Sequence, residues 1–206
     1  LRFFVKLKCR LMPYLYAQAM EAHTDGTPLL RAMILEFPED KNCRSLDLEY
    51  MLGESLFVAP IFREDSKVEY YLPHGKWVHL LDGRCVDGGS WRSEEYDYMS
   101  LPLFIRENHI LLLGNRDDVP DYDYENGFTV CIPEFEDGAS AKAVIPSEDG
   151  EKAGLATAVR NGNQIMVEIS MEKTSGGENT VEWNLKKIGN EAVRIEKDGN
   201  KAVIYL

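Results

Sequence analysis

The fold is decided by the stretch Leu29-Leu-Arg-Ala-Met-Ile-Leu-Glu-Phe37, a nearly continuous apolar run that lies between Pro28 and Pro38. Short apolar runs bounded by turn residues are typical of strands that are buried on both faces, as in parallel sheets. We therefore predict one strand over residues 29–37. If its neighbours are missing, its apolar edge should pair with a second copy of the chain or be capped by a helix.

The residues before this stretch predict a helix over 1–23, because apolar side chains recur at helical spacing from Phe4 to Met20 and a Thr-Asp-Gly stop signal follows. Pro13 lies near the middle, so we expect a kink or a restart there. A lone helix followed by a doubly buried strand is not a domain. This pattern, with Leu1 rather than methionine at the start, predicts the last αβ unit of a longer protein.

From Tyr50 onward, the sequence changes to short strand-like runs punctuated by Gly, Pro, Asp and Asn. This series of short strands and turns predicts a mainly β fold with two antiparallel β-sandwiches. The boundary between the two sandwiches lies near the acidic segment 115–126. The predicted strands of the first sandwich are 56–62, 67–72, 77–81, 103–106 and 110–113. Those of the second are 128–132, 141–145, 164–169, 180–185, 192–195 and 202–206.

The charge balance excludes some partners. The 206 residues include 23 Lys and Arg against 35 Asp and Glu, which gives a net charge of −12. A chain this acidic should not bind nucleic acids or anionic membranes through bulk electrostatics. The sequence also contains no run of about 20 apolar residues, the length that a transmembrane helix needs.

The four cysteines, Cys9, Cys43, Cys85 and Cys131, are far apart and form no CxxC motif. This spacing suits neither a disulfide framework nor a zinc site, so we expect free, mostly buried thiols. There is also no Asn-x-Ser/Thr glycosylation sequon. We therefore predict a cytoplasmic location.

Carboxylates that could act as a hydrolytic pair are abundant, which weakens each candidate. They are Glu36, Glu39, Asp40, Asp47, Glu49 and the tract from Asp117 to Glu125. In an acidic chain most such groups are solvated surface. Glu36 is the partial exception, because it closes an apolar run.

Other chemistry is weakly indicated. Asp121, Asp123 and Glu125 have the alternating spacing of a calcium loop, but the glycine and glutamate that follow in an EF-hand are missing. His74 and His79 would face opposite sides of a strand, and His23 and His109 are isolated. Without a GxSxG motif, a P-loop or a dinucleotide fingerprint, we predict no catalytic residue, no metal ligand and no cofactor from the residues alone.

Four aromatic residues in the first predicted sandwich allow two interpretations. Tyr70, Tyr71, Trp77 and Trp91 could form an exposed platform on which sugars stack, or they could be core and cross-strand pairs. The first reading makes the chain a carbohydrate-binding module. A purely structural or oligomerisation domain is the other non-enzymatic reading.

Six stretches in order resemble the C-terminal part of glycoside hydrolase family 31. The sequences of residues 31–33, 40–43 and 50–53 are most similar to those of its bacterial α-xylosidase branch. The stretches are Leu11-Met-Pro-Tyr-Leu-Tyr16, Gly26-Thr-Pro-Leu-Leu-Arg-Ala-Met-Ile-Leu-Glu-Phe-Pro38, Tyr50-Met-Leu-Gly-Glu-Ser-Leu-Phe-Val-Ala-Pro-Ile-Phe62, Tyr71-Leu-Pro-His-Gly-Lys-Trp77, Gly88-Gly-Ser-Trp91 and Leu101-Pro-Leu-Phe-Ile-Arg106.

The resemblance implies a domain plan. Residues 1–40 match the end of a (β/α)₈ barrel, including its eighth strand, residues 41–118 a proximal β-sandwich and residues 119–206 a distal one. The similarity is strong to about residue 114 and rests beyond that on position and sandwich character. A complete barrel takes about 250 residues, so most of it is missing from this chain.

The resemblance also implies a reaction, the retaining hydrolysis of α-xylosides or α-glucosides by two aspartates. Both aspartates belong to barrel segments that this sequence does not contain, so no catalytic residue is carried over and the sugar-binding residues are unknown. We therefore expect an inactive C-terminal fragment whose partner is the missing N-terminal and barrel portion of the same enzyme. A homo-oligomer through the strand at 29–37 is the second partner that we expect.

Overall fold

The computed structural model describes residues 1–172, 181–189 and 192–206, and its secondary structure is mostly β. The described residues contain two α-helices, a 3₁₀ turn over Lys41–Ser45 and sixteen strands. The helices are α1 (Arg2–Asp25) and α2 (Met33–Glu36). The strands are β1 (Leu30–Ala32), β2 (Tyr50–Leu52), β3 (Leu56–Val58), β4 (Lys67–Leu72), β5 (Lys76–His79), β6 (Cys85–Asp87), β7 (Ser90–Glu95), β8 (Leu103–Arg106), β9 (Leu111–Leu113), β10 (Phe128–Ile132), β11 (Ser140–Pro146), β12 (Lys152–Asn161), β13 (Gln164–Met171), β14 (Trp183–Lys187), β15 (Arg194–Asp198) and β16 (Lys201–Tyr205).

The N-terminal helix is confirmed, and it runs through Pro13 without a restart. It ends at Gly26, which adopts a left-handed conformation with φ of 82° and donates its N–H to Ala22 O. Glycine suits this cap because it lacks the Cβ that makes positive φ unfavourable. The predicted stop signal is therefore used as a C-cap.

The proline inside α1 frees one carbonyl for a distant partner. Residue 13 has no N–H, so Cys9 O loses the helical hydrogen bond that it would otherwise accept. The hydroxyl of Tyr122 donates to this oxygen at 2.8 Å. At the next residue, the Gly114 N–H donates to Arg10 O at 2.7 Å. The helix is thus bonded in its middle to the segment that leads into the second half of the chain.

The prediction of a nine-residue strand over 29–37 is wrong. Only β1 is extended, it pairs antiparallel with β2, and the chain then turns into α2. Within β1, Arg31 points inward while Leu30 and Ala32 are exposed, so the strand is not buried on both faces. The inward arginine needs polar partners, which a doubly buried apolar strand would not supply. Pairing of this edge with a second copy stays a prediction.

The first half of the chain is built around a six-stranded sheet with the order β1-β2-β3-β8-β5-β6, in which every pair is antiparallel. The antiparallel pair β4-β7 covers one of its faces. An aromatic-rich core fills the space between them, and its largest members are Trp77, Tyr70, Phe57 and Phe104. The sheet, this core and the β4-β7 pair form the first of the two predicted β-sandwiches, and we call its core the proximal core.

A second apolar cluster lies on the opposite face of the six-stranded sheet. There, Leu11 and Tyr14 of α1 pack with Val58 and Ile105 of the sheet and with Leu111 of β9. The Tyr14 hydroxyl donates to Leu52 O at 2.7 Å and accepts from Ser55 N at 2.9 Å. Helix α1 is therefore held by both halves of the chain.

The second half contains a three-stranded sheet, β14-β10-β9, and a five-stranded sheet, β11-β12-β13-β16-β15, with one core between them. Pairing is antiparallel except between β10 and β14, which run parallel. The ten-residue β12 is missing from our predicted strands. The predicted strand 180–185 begins outside the described residues, and its described part corresponds to β14.

Neither helix in the described ranges is long and apolar enough to cross a lipid bilayer.

Candidate functional site

The carboxylates of residues 36–49 do not converge on one site. Glu39 and Asp47 are exposed. Asp40 caps the 3₁₀ turn by accepting from Asn42 N, and its other oxygen accepts from the Tyr71 hydroxyl. Glu36 and Glu49 are the two that the fold places in enclosed surroundings.

Three acidic residues of the tract from Asp117 to Glu125 are engaged in ion pairs or turn hydrogen bonds. Asp117 pairs with Lys6 at 2.6 Å, and Asp118 pairs with Arg116. Asp123 accepts from Glu125 N and from the Asn126 side chain, so the calcium-like spacing serves a turn. Across the described ranges, no group of three or more His, Cys, Asp or Glu side chains could hold a metal ion.

The histidines are separated, as their spacing predicts. His23 and His74 are exposed. His79 is fully buried against the Phe104 ring, with Nε2 2.9 Å from Leu101 O. Burial lowers the pKa of His109, whose Nδ1 lies 2.7 Å from Glu107 O.

All four cysteines are free thiols. Cys9, Cys43 and Cys131 are buried, whereas Cys85 is exposed. Burial raises the pKa of Cys43 and of Cys131 to about 12, so neither thiol is suited to act as a nucleophile.

The most enclosed charged group at the start of the chain is Arg31, whose side chain is 5% exposed. Its guanidinium donates to Glu36 and Glu21 at 2.7 Å each. It also donates to Gln18 Oε1 at 2.9 Å and to Pro28 O at 3.0 Å. We call Arg31, Gln18, Glu21 and Glu36 the Arg31 cluster. It joins α1, β1 and α2 through charge-assisted hydrogen bonds.

The Arg31 cluster does not resemble an acid/base pair. Glu36 also approaches Arg106 at 3.6 Å, so its charge is balanced by two guanidinium groups. Burial alone would lower the pKa of Arg31, but Glu36 and Glu21 outweigh it and raise that pKa. Burial raises the pKa of the neighbouring Glu54. A retaining glycosidase needs one carboxylate free to attack the sugar, and Glu36 is already paired. The cluster therefore acts as a structural clamp.

The sequence predicts no role for Arg31 beyond its place in a motif. A signal was available, because an arginine inside an apolar run between two prolines must be paired if it is buried. Its partners could not be read from the sequence, since Gln18 and Glu21 are separated from it by the cap at Gly26.

Glu49 is the second enclosed carboxylate, at a position next to β2. One of its oxygens accepts from Tyr71 N at 3.0 Å, while Oε1 has no hydrogen-bond partner. Burial raises the pKa of Glu49 from its ordinary 4.5 to about 7, and the bond from Tyr71 offsets only part of this rise. The side chain is thus a proton-binding group inside the proximal core.

Glu49 should make stability depend on pH. Between pH 4.5 and about 7, the folded chain keeps a proton on Glu49 that the unfolded chain has lost. The stabilisation that this proton gives to the folded chain is fully present below pH 4.5 and is lost as the pH rises through 7. We expect Glu49→Gln to raise the free energy of unfolding at pH 8 by about 2 to 3 kcal/mol. Urea unfolding at pH 5 and pH 8 measures both values, and no gain at pH 8 would contradict the assignment. The control Glu69→Gln removes an exposed charge from β4 and should keep the original slope.

The aromatic set separates into core and surface. Tyr70, Tyr71 and Trp77 are buried, which overturns the four-membered platform as a sugar-binding surface. Only Trp91 is exposed, with 59% of its surface accessible. The core reading is therefore correct for three of the four residues.

Two family models match the chain. The one described as the glycosyl hydrolase family 31 C-terminal domain matches residues 26–111. The one described as the alpha-xylosidase YicI C-terminal domain matches residues 123–205. Together they cover both sandwiches.

Curated relatives extend the match across most of the chain. The alpha-xylosidase XylQ of Lactiplantibacillus pentosus is 32% identical over 168 residues, which are 80% of this chain and 22% of that protein. An alpha-xylosidase of Emericella nidulans is 31% identical over 195 residues, 89% of this chain and 25% of that protein. The chain thus spans about a quarter of the length of these relatives.

Solved structures share the fold. The family 31 alpha-xylosidase of Xanthomonas citri superposes with a TM-score of 0.78 at 21% identity, over 99% of this chain and 24% of that one. A family 31 dextranase of Flavobacterium johnsoniae superposes with a TM-score of 0.79 at 21% identity, over 97% of this chain and 30% of that one. The chain belongs to glycoside hydrolase family 31, of which it carries the C-terminal domains.

Proposed function

We propose that this chain is the non-catalytic C-terminal portion of a retaining α-glycosidase that hydrolyses α-xylosides or α-glucosides in carbohydrate metabolism. Its task is to hold the last αβ unit of the catalytic barrel in place. The observation that carries the proposal is the Arg31 cluster, which holds α1, β1 and α2 of that unit together and contacts the proximal sandwich through Arg106 and the Glu54 N–H.

An apolar surface next to the cluster supports this role. Leu30, Ile34 and Leu35 are 60%, 45% and 52% exposed, while Arg31 between them points inward. Exposed aliphatic side chains that occur together in a short segment are typical of a contact surface. We propose that the upstream part of the same enzyme packs on them. The sandwiches would then support β1, which we propose to be part of the last barrel strand.

We also propose the domain plan that the resemblance implied. Residues 1–40 are the end of the barrel, residues 41–118 the proximal sandwich and residues 119–206 the distal sandwich. Strand β9 hydrogen-bonds to β10 across the second of these boundaries, so the two sandwiches share a continuous contact. The cytoplasmic location stays a prediction, and the four free thiols are consistent with it.

The purified chain, with its intact mass confirmed, should not hydrolyse p-nitrophenyl α-xyloside or α-glucoside above a buffer blank. The physical reason is that its enclosed carboxylates are either paired, as Glu36 is, or isolated, as Glu49 is. Turnover that follows the chain through purification would overturn the proposal. Glu36→Gln and Glu49→Gln would then show which carboxylate acts. The matched control for both is Glu39→Gln, at an exposed position on the same segment.

A further inference from the structure

A cavity of about 410 Å³ lies where α1 meets both halves of the chain. The second half of α1, residues of β9, and strands β11 and β12 of the distal sandwich bound it, and Glu54 lines it from the turn between β2 and β3. Its apolar walls are formed by Ala17, Met20, Ile110, Leu112, Val144 and Leu155. Binding sites for small molecules have volumes of about 300 to 1,000 Å³ and occur preferentially between domains. The size and place of this cavity therefore suit a small organic ligand.

Five charged side chains also line this cavity, namely Glu21, Asp25, Glu54, Lys142 and Lys152. Three of them already have partners. Glu21 pairs with Arg31 at 2.7 Å. Asp25 accepts from the Thr27 N–H at 2.8 Å, and Lys152 pairs with Glu172 at 2.5 Å. Among the residues that the structure describes, the side chains of Glu54 and Lys142 are left without a partner.

Glu54 and Lys142 differ in how well water can solvate them. Lys142 is exposed on β11, so water stabilises its charge. Glu54 is half-buried, and only its backbone N–H is bonded, to Gln18 Oε1 at 2.9 Å. Burial raises the pKa of Glu54, as does the nearby Glu21, and Arg31 offsets part of the rise. The Glu54 carboxylate is therefore the charged group of the cavity that a ligand can satisfy.

The charges around Glu54 do not balance. Three carboxylates, those of Glu21, Glu36 and Glu54, lie near two guanidinium groups, those of Arg31 and Arg106. Both guanidinium groups contact Glu36, and that of Arg31 also contacts Glu21. One negative charge is left over, on the carboxylate that lines the cavity without a partner. A ligand with one positive charge would balance it.

This arrangement selects a chemical class. An anionic ligand would be repelled by the carboxylates and would pair only with Lys142, whose exposed ammonium group offers little binding energy. A purely apolar ligand would cover Glu54 and leave a carboxylate buried without a partner, which is unfavourable. A bare metal ion lacks ligands, since no group of three or more His, Cys, Asp or Glu in the described residues could hold one. An organic cation with an apolar body satisfies the carboxylate and the walls together.

We infer that this cavity binds a primary amine with an apolar body, which places its ammonium group on Glu54 and its body between α1 and strands β11 and β12. Such a ligand contacts α1 and both sandwiches at once. Because the cavity exists only in the folded chain, the ligand should raise the melting temperature. This binding does not depend on hydrolysis or on which glycoside the parent enzyme cleaves.

Isothermal titration calorimetry with three ligands of nearly equal shape tests the charge preference. They are 3-phenylpropylamine, 3-phenylpropanol and 3-phenylpropanoate, which share one apolar body and carry a positive, a neutral and a negative group. The titration is made at pH 8 in phosphate buffer, which contains no competing amine. We expect the amine to bind about tenfold or more tightly than the alcohol, and we expect no binding of the carboxylate.

Two variants separate the charge from the cavity. Glu54→Gln keeps the size of the side chain and should reduce the affinity for the amine to that for the alcohol. Its control, Glu69→Gln, removes an exposed carboxylate from β4 and should keep the preference for the amine. Leu155→Trp fills the cavity and should abolish binding of both ligands. Its control, Val159→Trp, lies on the same face of β12 outside the cavity and should bind as the original chain does.

Four results would overturn the proposal. Equal affinity for the amine and the alcohol in the original chain would show that Glu54 selects no charge. Tighter binding of the carboxylate would assign the preference to Lys142. A preference that survives Glu54→Gln, or binding that survives Leu155→Trp, would place the amine elsewhere on the chain. No heat of binding and no rise in melting temperature with millimolar amine would show that the cavity does not take this ligand.

Discussion

Replacing Arg31 by alanine should lower the free energy of unfolding by about 3 to 5 kcal/mol, the usual cost of removing one partner from a buried ion pair. The guanidinium is almost fully enclosed, and it supplies hydrogen bonds to two carboxylates and one amide. Without it, Glu36 keeps only the longer contact with Arg106, at 3.6 Å, in surroundings that are mostly shielded from water. The loss should therefore exceed the value of the hydrogen bonds alone.

Urea unfolding followed by circular dichroism measures this loss. Arg63→Ala is the matched control, because Arg63 forms a similar pair with Asp65 on the surface. Exposed pairs contribute about 0 to 1 kcal/mol, so the control should unfold almost as the original does. Equal losses in the two variants would show that the Arg31 cluster is not a clamp, and the basis of the proposed function would be removed with it.

Replacing Trp77 by alanine should cost a similar amount, about 3 to 5 kcal/mol, because a large side chain leaves a cavity in a packed core. Trp77 is fully buried, with its ring centroid 5.8 Å from that of Phe57 and 6.2 Å from that of Phe37. Its Nε1 donates to Pro73 O at 2.8 Å, so the change also leaves a buried carbonyl without its partner. Both effects act on the proximal core.

Trp91→Ala is the control for this change, since it removes the same side chain from the surface. It should shift the free energy of unfolding by about 1 kcal/mol or less. A Trp77 variant as stable as the Trp91 variant would contradict the assignment of Trp77 to the core.

The strands with mixed apolar and polar residues were the most predictable part of the fold. Lys67–Leu72, Leu103–Arg106 and Phe128–Ile132 have the bounds that the sequence indicated. Strand β12 was missed because its inward positions are Gly154, Ala156 and Ala158, and such small residues give no hydrophobic alternation. The pairing of β12 with β11 and β13 is what makes these positions a core.

The errors at residues 29–37 and among the aromatics have one physical cause. A short apolar run has no decisive period, and only its neighbours in space determine whether it extends or turns. In the same way, tyrosine and tryptophan occur both in packed cores and on sugar-binding surfaces. The sequence therefore could not indicate that Tyr70, Tyr71 and Trp77 would be buried and Trp91 exposed.

The hydroxyl of Tyr122 on Cys9 O also has a kinetic consequence. This bond joins residues 113 positions apart, and the Lys6–Asp117 pair joins residues 111 positions apart. Contacts of such high sequence separation require a large loop to close first, and they slow folding. During synthesis, α1 meets its partners around Leu52 and Ser55 first, and the contacts with Asp117 and Tyr122 form only after those residues have been made. The contacts of α1 with residues 117–122 should consequently be among the last native contacts to form.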